Sequence, residues 1–259
     1  MSNLFGFIFV NMDDSKNIII VEPDEIASGY KYWKEAGHLS KSIVVCSDEY
    51  DLPEFQKLFY FYPQHPQRGD VYVRSPFRND TFYEISQFQD NVVKEKYHCL
   101  SKIASCLGAS SFNASIEVES VKERSWDLNV GMKTIKVDGD FDLKRYEAER
   151  VNKNCFISDN YKKERLTIQS YEKAIQLAKK YGLYGNPDVR GLLEKCNPMD
   201  CSMLSHEKVV CNLTSEVNSS LDLAFSINAM KGVFTVGANF VEHTKYRFDI
   251  LEIIEYNFD

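Results

Sequence analysis

The chain of 259 residues changes its hydrophobic period several times along its length. Two short apolar runs come first. Phe5–Val10 and Asn17–Val21 read as buried strands, with a polar turn at Asn11–Lys16 between them. Asp24–Ala36 predicts a helix that stops at Gly37, and Ser42–Ser47 predicts another short strand. Phe55–Tyr62 then gathers Phe59, Tyr60, Phe61 and Tyr62 in succession, before a proline-broken loop at Pro63–Gly69. Such a cluster suits either a core or a partner-binding surface, because aromatics anchor both.

Helical spacing takes over next. Thr81 carries a hydroxyl and Glu84 a carboxylate three residues on, the arrangement of a capping box. Phe82, Ile85, Phe88, Val92, Leu100, Ile103 and Leu107 then recur on one helical face, and Gly108 supplies a stop. The spacing predicts a helix over 82–107.

Alternation follows, predicting strands over 111–147. Phe112, Ala114, Ile116 and Val118 form one apolar row; Trp126, Leu128, Val130 and Met132 form another, after a polar turn at Lys122–Arg124. Ile135, Val137, Phe141 and Leu143 continue out of phase, which places a turn or bulge near Lys133–Thr134. Arg145–Tyr161 reads as a charged connector. Helical patterning returns over 162–196 in two pieces: one to Gly182, and one opened by Asn186-Pro187-Asp188 and ending at Cys196. Four alternating segments over 208–258 then predict consecutive antiparallel strands, beginning with Val209 and ending with Tyr256.

These elements make an α+β chain: antiparallel sheet of meander strands with helices packed on one face. Met132–Phe141 resembles Met230–Phe240, so two related helix-plus-meander units are one reading. An aromatic-rich region, 1–78, precedes the α+β region, 79–259; both fit within a single domain as well.

Composition adds little to the fold and more to the setting. Hydrophobic residues make up 44%, enough for a core in a chain of this length. The net charge of −7 disfavours non-specific binding to nucleic acid. Residues 144–180 carry ten basic and five acidic side chains, for which mixed charge on an exposed helix face is the ordinary cause. Leu4–Val10 is short and lacks the basic flank of a secretion signal, and no run approaches the roughly 18 apolar residues of a membrane helix. The seven cysteines are an odd number and suit reduced thiols in a cytoplasm. Four Asn-x-Ser/Thr triplets, at Asn79, Asn113, Asn212 and Asn218, are then chance matches.

No phosphate-binding glycine loop, nucleophile elbow or metalloprotease helix is present. Cys196, Cys201, His206 and Cys211 have the chemistry of a zinc set, although their five-residue intervals are wider than a zinc knuckle. Asp138, Asp140, Asp142 and Lys144 alternate along a predicted strand and would share a face, as a cation site or as solvated charge. His98 and Cys99 are adjacent, so on a helix they diverge by about 100° and cannot pair. The sequence therefore predicts a non-enzymatic binding or adaptor protein of the cytoplasm, with a protein partner and no cofactor, and with Phe59–Tyr62 as its binding residues. Two alternatives stand beside it. One is a membrane-perforating effector using the amphipathic segments Trp126–Met132 and Leu221–Phe240. The other is an enzyme with a dispersed site acting on nucleic acid or nucleotide through the 138–144 cluster and the basic region.

Overall fold

The computed structural model describes residues 17–35, 42–126, 133–136, 156–162, 165–200, 204–212 and 246–258. The predicted strand at Phe5–Val10 lies outside them. So do the segments over 137–155 and 213–245.

Two sheets carry the fold. The first has five strands: β1 (Ile18–Glu22), β2 (Ile43–Ser47), β3 (Tyr60–Tyr62), β4 (Val71–Arg74) and β5 (Thr81–Glu84), in the order β2-β1-β4-β5-β3. β1 runs parallel to β2 and antiparallel to β4, and β3 runs parallel to β5. Helix α1 (Asp24–Glu35) makes the right-length crossover between β1 and β2, with Asp24 and Glu25 in its first turn. α2 (Leu52–Leu58) leads into β3.

Every residue of β1 is buried, because this sheet is covered on both faces. The side-chain period of two then sorts its neighbours. Ile18, Ile20, Val71, Val73 and Tyr83 join one core cluster, with Tyr30 of α1. Ile19, Val21, Cys46, Tyr72, Phe82 and Phe61 join another, closed by Leu52 and Phe55 of α2.

The second sheet is built on β6 (Ser111–Trp126) and β10 (Tyr246–Asn257), which pair antiparallel along almost their whole length. β7 (Lys133–Lys136) and β8 (Phe156–Asn160) flank β6, and β9 (His206–Asn212) flanks β10. The last strand of the chain is thus central and lies directly beside β9, so the order is not that of consecutive strands. Phe112, Ala114, Ile254 and Tyr256 face inward to the first core cluster. The same cluster holds Phe88, Val92, Leu100 and Ile103 of α3 (Phe88–Cys106), Ala174 and Ala178 of α4 (Ile168–Lys180), and Leu192 of α5 (Pro187–Lys195). Each Val, Leu, Ile or Phe among them contributes about 1.5–3 kcal/mol when fully buried. The division after residue 78 falls between β4 and β5, two paired strands.

Four sequence expectations are corrected. The helix predicted over 82–107 begins later: Thr81–Glu84 is β5, a 3-10 turn covers Ile85–Gln87, and α3 starts at Phe88. Glu84 does cap a helical turn, accepting from the Ser86 N–H, but Phe82 faces the opposite side of the sheet from Ile85 and Phe88. The turn predicted at Lys122–Arg124 is continuous strand. Asp249 pairs with Ser120 and Ile250 with Val118, so Glu119 is a bulge that absorbs the change of phase. The connector over 145–161 contains β8. The helix predicted from residue 162 starts at Ile168, where Thr167 and Ser170 exchange capping bonds of 3.0 and 3.1 Å.

Candidate functional site

The aromatic run singled out in the sequence lies at the outer edge of the first sheet, and the strand period divides it. Phe61 is buried, stacked on Phe82 with centroids 5.8 Å apart and edge-on to Tyr72 at 5.1 Å. Phe59 is half-buried and meets Phe82 edge to face at 5.5 Å. Tyr60 and Tyr62 point the other way and stand 65% and 46% exposed. Leu58, just before them, is also exposed. Three of the seven large apolar side chains exposed among the described residues (Leu58, Tyr60, Tyr62) fall within this short stretch.

The backbone of this edge is defined as well. Tyr60 N–H donates to the carbonyl of Asp80, the residue before β5, at 2.8 Å. In a parallel ladder alternate residues bond to alternate sides, so the N–H and C=O of Phe61 are directed away from β5. Among the described residues no strand pairs with β3 on that side.

Directly behind the edge is a cluster that sequence reasoning missed. Tyr62 rests against Tyr83, with centroids 5.6 Å apart. Burial, and then the charge of nearby Glu95 on α3, raise the pKa of the Tyr83 hydroxyl. Glu95 is 5% exposed, accepts from the Ser75 hydroxyl, and lies 2.9 Å from Arg78 Nε. The Ser75 oxygen in turn accepts from the Phe77 and Arg78 N–H groups at 3.0 and 3.1 Å. Burial raises the Glu95 pKa above the ordinary carboxyl range, against the lowering pull of Ser75, Arg78 and Tyr83. The neighbouring Cys99 thiol is pushed up to about 12, first by burial and then by Glu95. Nothing local marks Glu95: it lies in the charged run Lys94-Glu95-Lys96, whose first member is exposed while the other two are buried.

The other residues expected to carry chemistry are not assembled by the described part of the fold. Asp138, Asp140, Asp142 and Lys144 lie outside the described residues, as does Cys201. Cys196 is buried at the C-cap of α5, its thiol pushed up to about 11 chiefly by burial. His206 is exposed on β9, with Nδ1 2.7 Å from Asn257 Oδ1. Cys211 is on the same strand, an odd number of residues away, in register with Glu252. Among the described residues no three His, Cys, Asp or Glu side chains gather as a metal would need. His98 is exposed and Cys99 buried, so these neighbours diverge as expected.

The membrane reading rests on Trp126–Met132 and Leu221–Phe240, of which only Trp126 is described. Among the described residues no helix is long and apolar enough to cross a membrane. Within the basic region Lys162, Arg165, Lys173, Lys179 and Lys180 are exposed, while α4 buries Ala174 and Ala178. That is a solvated helix face.

At one end of the second sheet, among the described side chains, the outward face is polar. Asn160, Ser111, Asn257 and His206 stand in one lateral row, and Ser158, Asn113, Glu255 and Lys208 in the next. Within these rows Asn257 donates to Ser111 at 2.8 Å, Ser158 to Asn113 at 2.7 Å, and Lys208 pairs with Glu255 at 3.1 Å. Compared with protein-family models, curated proteins and solved structures, the chain matches none.

Proposed function

We propose that this chain is a non-enzymatic binding protein that docks a protein partner, as an extended segment, along the β3 edge. The observation that carries the reading is the pairing of exposed Tyr60 and Tyr62 with an outward-directed Phe61 peptide on a strand with one described neighbour. A partner segment would add backbone bonds at Phe61 and apolar contact at the two tyrosines, the division of labour in β-strand addition. Tyrosine suits such contacts because it supplies area at small entropic cost.

The test compares the wild type with Y60S/Y62S, each purified gently from the native host, with mass in solution and bound proteins measured. A stoichiometric protein held by the wild type and lost from the folded double variant supports the reading. Equal retention by both, or a wild type that carries nothing, refutes it.

A further inference from the structure

We infer that Glu95 is a pH-operated clasp that ties the Ser75–Asp80 loop, and through Tyr83 the Tyr62 ring at the sheet edge, to α3, and that its protonation frees Arg78 without unfolding the chain. Ser75 accepts from two backbone N–H groups, so its own hydrogen goes to Glu95. Arg78 Nε lies 2.9 Å from Glu95 Oε1 as an ion pair, and the Tyr83 hydroxyl is nearby. The Ser75 hydroxyl hydrogen and the Arg78 guanidinium, neither of which can accept from Glu95, thus face the two oxygens of one side chain, a setting that suits the carboxylate as acceptor and anion. Adding a proton turns one oxygen into a donor with a donor opposite it. Of the groups around Glu95, Ser75 and Tyr83 are buried and Arg78 is 42% exposed, so Arg78 is the group with water to retreat into.

The surroundings fit a local release. The charged and titratable groups facing Glu95 are Arg78 and Asp80 from the loop, Tyr83 from β5 and Cys99 from α3. Lys102 acts on Cys99, and Tyr181 acts on Arg78. Asp80 opposes a second negative charge and Arg78 favours it, so protonation removes the attraction that holds the arginine. The buried Ser75 hydroxyl and the Tyr83 ring keep the neutral carboxyl packed, which leaves the helix and sheet in place. Release of Arg78 requires no partner at β3.

The experiment uses the full chain labelled with 15N-arginine and 13Cδ-glutamate, titrated by NMR from about pH 8 to about pH 4.5, a range that spans a raised carboxyl pKa. R78K assigns the Arg78 Nε–H signal. The expected result is a shift of that signal with the same midpoint as the Glu95 13Cδ signal and with an unchanged near-UV spectrum. In E95Q the signal sits at the wild-type low-pH position throughout. An Arg78 signal that stays still while Glu95 titrates overturns the inference, as does one that still titrates in E95Q. So does loss of the near-UV spectrum at the same midpoint. If E95Q does not fold, agreement or disagreement of the two wild-type midpoints decides.

Discussion

The rings of Phe61 and Tyr72 meet edge to face, with planes at 84° and centroids 5.1 Å apart. This contact, with the stack of Phe61 on Phe82, fixes β3 to the sheet and turns Tyr60 and Tyr62 outward. Adjacent residues of one strand should therefore answer mutation differently. Phe61→Ala is expected to cost about 3–5 kcal/mol by removing a buried ring. Tyr60→Ser is expected to change stability by no more than roughly 0.5 kcal/mol, as exposed positions do. Urea unfolding of the two variants measures both. A Tyr60→Ser variant as damaged as Phe61→Ala would mean that Tyr60 is buried in the folded chain, and the edge would not be a free surface.

The parts of the fold legible in the sequence are those set by neighbours along the chain. β1, α1 and β2 appear close to where the apolar runs put them, and Gly108 and Gly182 adopt positive φ at the helix stops. The failures come from contacts distant in sequence. Thr81–Glu84 reads as a helix start until Tyr60 pairs with Thr81 and makes it a strand. The polar stretch after Ser120 reads as a turn until β10 shows that a bulge at Glu119 has shifted the phase. Phe59–Tyr62 was visible as a group, but which members face out depends on β5. The Glu95 cluster was invisible, because Ser75, Arg78, Tyr83 and Glu95 meet only after β4, β5 and α3 have packed.

The clearest local signal offers its own test. Asn186 Oδ1 accepts from the Asp188 and Val189 N–H groups at 3.0 and 3.2 Å, with Pro187 opening α5. Asn186→Ala is expected to cost about 1 kcal/mol by leaving those donors to water, and Asn186→Ser to recover most of it. Thermal unfolding distinguishes the two. A silent Asn186→Ala would show that the helix start is held by the packing of Val189 and Leu192 alone.

Thiol chemistry gives an independent check on packing. Cys46, Cys99 and Cys196 are buried, and Cys106 is partly accessible at the end of α3. Burial pushes the Cys99 thiol up to about 12 and Cys196 to about 11, so neither forms appreciable thiolate at neutral pH. Limited alkylation of the native protein followed by peptide mass mapping should modify Cys106 first among these four. Early modification of Cys99 would be incompatible with the packing of α3 against the first sheet.

The raised pKa of Glu95 fixes the sign of a stability experiment. A carboxyl whose folded pKa exceeds its unfolded value binds its proton more tightly when folded. Its stabilising contribution is therefore full below the unfolded pKa and is lost as pH rises through the folded one. The free energy of unfolding of the wild type, minus that of E95Q, should fall across that interval and level off above it. Urea titrations of both proteins at a series of pH values measure the difference, with other carboxyls cancelling between them. A difference that grows with rising pH would mean that Ser75, Tyr83 and Arg78 outweigh burial. Glu95 would then hold the fold as an ion pair already formed well below neutral pH.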